Sequence, residues 1–150
     1  LEAEALVDAN ATAIKNLIVG NGSSNDCSTT FTFTPPGGTT ATHKGFCAPA
    51  NHPQAGGTVS NTERWEIATL WSDTAAKRYV TATDGTTKYI VEFVGHIFGT
   101  GNVSTCGPVP VTVWPYCDTD GLQFRITAMA EGSIAGEARV MLQSTYVAAP

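Results

Sequence analysis

Charged residues are scarce in this sequence, and no stretch concentrates charge of one sign. The 150 residues include 8 basic and 13 acidic side chains, so that the net charge is -5 and charged residues make up only 14% of the chain. Binding to nucleic acid requires several basic side chains on one face, where they displace counterions from phosphates. Because no cluster of Lys or Arg occurs, we do not expect nucleic acid as a partner.

Long hydrophobic runs are absent as well. A membrane-spanning helix needs about 20 consecutive, mostly apolar residues, whereas the apolar runs of this chain are only a few residues long. No secretory signal peptide is recognisable. The chain begins at Leu1 rather than at Met, which indicates a processed or trimmed form of a longer protein.

Motifs of common enzymes are also missing. There is no Gly-x-Ser-x-Gly elbow to expose a nucleophilic serine, and the carboxylates are too scattered to name a glycosidase pair. Residues 118–121 resemble the start of a calcium loop, but Met129 or Ala130 stands where the bidentate glutamate is expected. We therefore predict a non-enzymatic protein without catalytic residues, bound metal or cofactor.

Length and composition favour a single β-rich domain. A chain of this length can bury about 68 to 70% of the surface that its unfolded form exposes, which is enough for a core. The low charge, the 15 glycines and the abundant threonine are typical of a secreted β domain.

Residues 1–19 have the spacing of an amphipathic helix, because apolar residues recur three and four positions apart. In this arrangement the charged residues face mostly outward: Glu2, Glu4, Asp8 and Lys15. The acids precede the lysine, as the helix dipole prefers. Gly20, Asn21 and Gly22 then end the helix.

Two segments near the carboxyl end alternate between apolar and polar residues, as the strands of a half-buried hairpin do. They are residues 122–128 and residues 138–146, and a glycine-bearing loop separates them. Phe124 and Leu142 fall on the apolar faces, and a register shift by one residue would expose both. This hairpin predicts an antiparallel sheet.

Other elements are predicted with weaker patterns. Asp84 and Gly85 predict a tight turn between strands at residues 79–83 and 88–94, and further strands are indicated at residues 63–71 and 111–114. Residues 23–60 read as a long loop with one short alternating segment at 30–34. The resulting fold class is α+β, with one helix packed across an antiparallel sheet.

The four cysteines predict two disulfides, although three pairings are formally available. We favour Cys27 with Cys47 and Cys106 with Cys117, because each pair encloses a loop that contains Pro or Gly. Each bond would contribute roughly 3 kcal/mol by restricting the unfolded chain. The alternative is a zinc site at Cys27, His43, Cys47 and His52, whose spacing fits no closely packed zinc knuckle.

Glu92 is a candidate partner-binding residue because it interrupts the apolar run of residues 90–94. A role in docking another subunit is one interpretation. The other is an ion pair with Arg125 across the strands or with Lys88, which contributes at most about 1 kcal/mol if exposed.

Trp114 and Tyr116 are further candidate binding residues, since they lie in the loop that Cys106 and Cys117 would close. Large aromatic side chains in an exposed loop suit contact with proteins or sugars. The remaining tryptophans, Trp65 and Trp71, are predicted to lie in the core.

The segments 89–95, 124–128 and 138–146, with two cysteines between the first two, resemble the carboxy-terminal half of the PilX-type minor pilins of bacterial type IV pili. The resemblance covers residues 79–146. Its most specific part is the run 125–128 followed by 140–146, and residues 20–78 resemble no family.

The resemblance implies a type IV pilin-like fold, in which the N-terminal helix packs on the sheet beside a disulfide-linked loop region. Residues 1–150 would form one soluble pilin head domain, with residues 1–19 as the C-terminal half of the pilin helix and residues 20–150 as the β-rich head. The hydrophobic part of that helix, which anchors a pilin in the membrane, would precede Leu1. The loop between Cys106 and Cys117 lies where pilins carry a variable exposed surface.

The resemblance also implies a function and a location. The protein would prime type IV pilus assembly at the inner membrane and then sit near the tip of the extracellular pilus, with its head in the periplasm before assembly. Its partners would be other minor pilins, the major pilin and a large tip adhesin, which connects the protein with cell adhesion and twitching motility.

Two further functions remain open at this point. A pseudopilin of type II secretion shares the arrangement of a helix and a head. A secreted carbohydrate- or surface-binding β module belongs to a different class, and exposed tryptophans would be the evidence for it. A hydrolase is a third and weaker alternative.

Overall fold

The computed structural model describes residues 2–20, 26–34, 39–50, 62–96, 121–132 and 139–149. Two helices, one short 3-10 turn and six strands occur in these ranges. In chain order they are α1 (Glu2–Gly20), β1 (Asp26–Phe33), β2 (Ala41–Cys47), the 3-10 turn (Arg64–Glu66), α2 (Ala68–Ser72), β3 (Val80–Thr81), β4 (Lys88–His96), β5 (Leu122–Glu131) and β6 (Arg139–Ala148).

The strands form one mixed sheet in the order β1-β2-β4-β5-β6, and β3 pairs with β4. The predicted arrangement of an N-terminal helix on a sheet is present. The expectation of a purely antiparallel sheet is wrong, however, because β2 runs parallel to β4 through the pairs Phe46↔Val91 and Cys47↔Glu92. Parallel neighbours require a long crossover instead of a tight hairpin, and the chain between Cys47 and Lys88 provides it.

Helix α1 packs its apolar side on one face of the sheet. Its buried residues share a core with side chains of β4 and β5 such as Phe93 and Phe124. The helix is interrupted at Asn10, whose backbone is non-helical (φ -137°, ψ 15°) and whose Nδ2 donates to the carbonyl of Leu6 at 2.9 Å. A non-helical residue changes the phase of the following turns, and Lys15 is only 6% exposed instead of facing outward as expected.

The hairpin of β5 and β6 is present with the predicted alternation, through pairs that include Phe124↔Tyr146 and Ala128↔Leu142. Phe124 is buried, but Leu142 is 70% exposed, so the expectation that both are buried is wrong for Leu142. Tyr146 packs against the helix-side core, and its hydroxyl donates to Asp8 of α1. The helix therefore covers β6 near Tyr146 and leaves the part near Leu142 open.

The opposite face of the sheet is covered by residues 62–72. A strand was predicted here, but the chain forms the 3-10 turn and α2. Leu70 and Trp71 are adjacent and both fully buried, and both belong to the core cluster on the face opposite α1. The Nε1 of Trp71 donates to the carbonyl of Trp65 at 2.8 Å, and Trp65 is partly buried beside it.

The segment 23–60, predicted as a loop, contains the antiparallel hairpin of β1 and β2. Only the part at 30–34 was recognised from the sequence. The hairpin is rich in threonine, a residue that strands favour, and the Oγ1 atoms of Thr32 and Thr42 lie 2.9 Å apart across the two strands. Phe31 and Phe33 stack on the buried side, with ring centroids 5.9 Å apart.

The predicted turn at Asp84 and Gly85 connects β3 with β4, which pair as antiparallel strands. The carboxylate of Asp84 accepts hydrogen bonds from the hydroxyl and amide of Thr87 and from the amide of Thr86. These bonds lower the pKa of Asp84 to about 2. The turn is therefore held by the charged form of the aspartate.

Gly45 allows the crossover segment to lie directly on β2. Its φ is +104°, and a Cβ built there would lie 2.9 Å from both the Cα of Tyr79 and the backbone nitrogen of Val80. Backbone atoms cannot move aside as a flexible side chain can. Any side chain at position 45 would therefore strain the backbone and clash with the backbone of Tyr79 and Val80.

Replacing Gly45 by Ala is expected to lower the free energy of unfolding by about 2–5 kcal/mol, because backbone strain and overpacking add. Urea unfolding measures the change. Gly20→Ala is the matched control, since its Cβ would meet no atom within 4 Å and should alter stability by less than about 1 kcal/mol. Equal unfolding midpoints for the two variants would contradict this account.

Candidate functional site

Neither described face of the sheet carries an assembled metal site. Within the described part of the chain, no group of three or more His, Cys, Asp or Glu side chains lies close enough together to hold a metal ion. Of the helices that the structure describes, none combines the length and the apolar character needed to cross a membrane.

The predicted bond between Cys27 and Cys47 is present, with a Cα–Cα distance of 4.4 Å. It joins the start of β1 to the end of β2, and both cysteines pack in the core opposite to α1. Because they are bonded to each other, the alternative zinc site is wrong. His43 instead packs its ring on Phe33 at 4.6 Å between centroids, and burial lowers its pKa.

Several predicted site residues lie outside the described residues. These are Cys106, Cys117, Trp114 and Tyr116, together with His52 of the alternative zinc site. The second disulfide and the aromatic binding loop stay predictions.

Glu92 and Arg125 form an ion pair inside the domain. They are directly opposite each other on β4 and β5, and the guanidinium binds the carboxylate twice, through Nε at 2.7 Å and through Nη2 at 2.9 Å. Nη2 also donates to the carboxylate of Glu63 at 2.6 Å. Glu63 immediately precedes the 3-10 turn, so the cluster connects the covering segment 62–72 to the centre of the sheet.

The position of Glu92 supports the cross-strand interpretation. Its side chain is 0% exposed, because it points to the face of β4 that residues 62–72 cover, where Arg125 and Glu63 meet. In this fold the Glu92 carboxylate does not reach a partner on the surface. The pairing with Arg125 explains why a charged residue interrupts an apolar strand.

Burial raises the pKa of Glu92, and the hydrogen bonds from Arg125 oppose that rise. The same contact, above all the hydrogen bond to Glu92, raises the pKa of Arg125, so its guanidinium stays charged. The buried Arg64 lies close enough to attract Glu92, and its Nε donates to the carbonyl of Ala48 at 3.3 Å. The guanidinium groups of Arg125 and Arg64 thus compensate the carboxylates of Glu92 and Glu63 where the covering segment meets the sheet.

An exposed apolar surface lies on β6, which pairs with β5 and is the last strand of the described sheet. Val140 is 55% and Leu142 is 70% exposed on the side of α1, and Met141 and Val147 are exposed on the other side. Apolar residues on an outer strand are typical of surfaces that contact other proteins. We call residues 140–142 and 147 the β6 surface.

Analysis of the sequence missed the β6 surface, although a signal for it exists. Val140, Met141 and Leu142 are three consecutive apolar residues. Because successive strand residues point to opposite faces, such a run places apolar side chains on both faces. A single core cannot bury both at the edge of a sheet.

The described residues define a disulfide-linked α+β domain with a buried carboxylate, that of Glu92, paired with Arg125 and with apolar side chains exposed on its outer strand. A family model described as type IV pilus assembly protein PilX C-term matches residues 22–148. The chain belongs to this family, which comprises structural components of the pilus, and is a PilX-type minor pilin associated with type IV pili. No curated protein sequence and no solved structure is significantly similar to it.

The family match confirms the resemblance and extends it. The resemblance was carried by residues 79–146, whereas the match begins at residue 22 and includes the β1–β2 hairpin. The sequence resemblance did not reach that hairpin. Helix α1 precedes the matched range.

Replacing Arg125 by Met should lower the free energy of unfolding by about 3–5 kcal/mol at neutral pH, because the buried Glu92 loses its partner. The ordinary pKa of Glu92 is 4.5, and burial raises it; the native state therefore holds its proton more tightly than the unfolded state. Stability falls as pH rises above the ordinary value. Without Arg125, the pKa of Glu92 in the native state should rise further, and stability should depend on pH more strongly. The difference in unfolding free energy between wild type and Arg125→Met should therefore shrink as the pH is lowered toward 4.5.

Urea unfolding at both pH values measures this deficit. Arg139→Met is the control, since Arg139 is 54% exposed and pairs with Glu131 at the surface, where a salt bridge contributes about 1 kcal/mol or less. A deficit of Arg125→Met that is independent of pH, or no larger than that of the control, would show that Glu92 is not the group involved.

Proposed function

We propose that this protein primes the assembly of type IV pili and is located near the tip of the filament. The observation that carries the proposal is the family match, which spans every described strand from β1 to β6. The pairing of the buried Glu92 with Arg125 and the disulfide support a rigid subunit that acts through contacts with other proteins. The description of the matched family favours the type IV pilus over type II secretion.

The proposed fold is that of a type IV pilin, with α1 as the C-terminal half of a longer helix. The packing of α1 supports this assignment, because the helix buries one apolar side against the sheet. Residues upstream of Leu1 would then anchor the protein in the inner membrane before assembly. After assembly the head would be extracellular.

The proposed partners are other minor pilins, the major pilin and a large tip adhesin. The β6 surface offers apolar contacts on both sides of the strand. Trp114 and Tyr116 are proposed as additional contact residues in the loop between Cys106 and Cys117. These partners would connect the protein with adhesion and twitching motility.

Deleting the gene in the source bacterium should leave few or no pili on cells that cannot retract them, because priming acts before elongation. Negative-stain electron microscopy counts the pili, and the full-length gene supplied from a plasmid should restore the number. A wild-type number of pili on the deletion strain would refute the priming role.

Immunogold labelling of sheared pili should place gold at one end of the filament. A tip subunit is present once per filament, whereas a subunit of the shaft is distributed along it. An antibody to the major pilin is the control and should label the full length. Gold distributed along the shaft, or absent from pili altogether, would contradict a tip location.

A further inference from the structure

A pocket of about 270 Å³ opens beside the first turn of α1, where the helix leaves part of the sheet uncovered. Its apolar wall consists of Ala3, Ile126, Ala128 and Leu142. Leu142, the most exposed residue of the β6 surface, lies at its outer rim. The pocket therefore continues the β6 surface into the domain.

Tyr89 lines this pocket, and its hydroxyl group lies close to the carboxylate of Glu2. Tyr89 is 2% exposed, and its oxygen makes no hydrogen bond of ordinary geometry. Its burial and the nearby carboxylate of Glu2 raise its pKa. A buried polar group without a partner is costly, and native proteins rarely retain one without a reason. A ligand that binds this oxygen would remove the cost.

The charge of the pocket has one sign. Glu2 and Glu4, the acids of the first turn of α1, both line it, and no lining residue is basic. The carboxylate of Glu2 is held in place, because its Oε2 accepts hydrogen bonds from the amide of Thr83 at 3.0 Å and from the hydroxyl of Thr83 at 2.7 Å. The Glu2 carboxylate lies close enough to the Tyr89 hydroxyl group to raise its pKa, so that one cation could contact both oxygens.

We propose that this pocket binds a lysine or arginine side chain of a neighbouring pilus protein. The charged head would donate to Glu2 and to the Tyr89 oxygen, which no hydrogen bond within the described residues satisfies. The aliphatic stem would lie along Ile126 and Leu142, as the stems of Lys and Arg do on apolar surfaces. The Leu142 rim would contact the apolar residues around that basic side chain.

This inference deepens the proposed function, since it rests on the protein being a pilus subunit and names the chemistry of one contact. The first turn of α1 is acidic, and none of the residues that line the pocket is basic. Charge complementarity therefore favours a positively charged side chain in the pocket. An acidic segment would be repelled by Glu2 and Glu4, and a purely apolar one would offer no donor to the Tyr89 oxygen.

Photo-cross-linking in cells tests the contact with the full-length protein. The photoreactive residue p-benzoylphenylalanine is placed at Leu142, and at Val147 as the control, because both are exposed on β6 but face opposite sides. We expect an adduct with a pilus protein from Leu142 that is absent from Val147. Mass spectrometry should locate the cross-linked peptide next to a Lys or Arg of that protein.

Two substitutions then separate binding from folding. Tyr89→Phe removes only the hydroxyl, and Glu2→Gln removes the charge while keeping an acceptor for Thr83. Each should reduce the adduct about ten-fold, because a hydrogen bond to a charged group is lost. Tyr89→Phe should leave the melting temperature of the protein unchanged or higher, which a merely structural role of the hydroxyl would not produce.

The outcomes are distinguishable from those of the proposed function. If the deletion strain has a normal number of pili, the proposed function is refuted, and a pilus protein is no longer supported as the partner of the pocket. If deletion abolishes pili but both substitutions leave the adduct unchanged, or if Val147 gives the same adduct as Leu142, only the pocket assignment is overturned. A cross-linked peptide without Lys or Arg near the site overturns it as well.

Discussion

The pairing of β4 with β5 at the centre of the sheet, covered on both faces, is the constraint on which the structure depends. On one face, Phe93 and Phe124 pack beneath α1, with ring centroids 5.3 Å apart. On the other face, Glu92 and Arg125 lie opposite each other beneath residues 62–72. A carboxylate excluded from water is tolerated only when charged donors bind it. Residues 62–72 can therefore cover this face only because Arg125 pairs with the carboxylate of Glu92.

The crossover between β2 and β4 produces this double coverage. A hairpin would have returned the chain at once, and the second face would have remained exposed. Instead the chain forms the 3-10 turn and α2 over that face before it re-enters the sheet parallel to β2. Cys27 and Cys47 close the first hairpin inside the same apolar cluster as Trp71. Gly45 lets the returning backbone lie against β2.

This construction leaves the apolar edge of β6 and the pocket beside α1 open within the described residues. A subunit of a filament has to keep its shape while its surface is bound by others, and internal ion pairs and a disulfide suit that requirement. The apolar residues of β6 are a liability for an isolated domain. The proposed contact with a neighbouring subunit would cover these residues.

Much of the fold could be predicted from local patterns. The helix, the hairpin of β5 and β6 and the turn at Asp84 follow from residues close in sequence, because side-chain period and turn residues act over a few positions. The bond between Cys27 and Cys47 follows from the even number of cysteines and from the loop that the pair encloses. The family resemblance was also carried by such segments. The covering segment 62–72 was predicted as a strand, because Trp65, Ile67 and Trp71 are spaced like strand residues when their packing is unknown.

The sequence by itself determined which side chains share a face of each strand, since that depends only on the alternation of the backbone. Only the tertiary structure decided which faces lose contact with water. Glu92 and Leu142 show the difference. The polar residue is buried because the distant segment 62–72 covers its face of β4, and the apolar residue is exposed because α1 does not extend over that end of β6. Burial is a property of what packs above a residue, and those partners are far away in the chain.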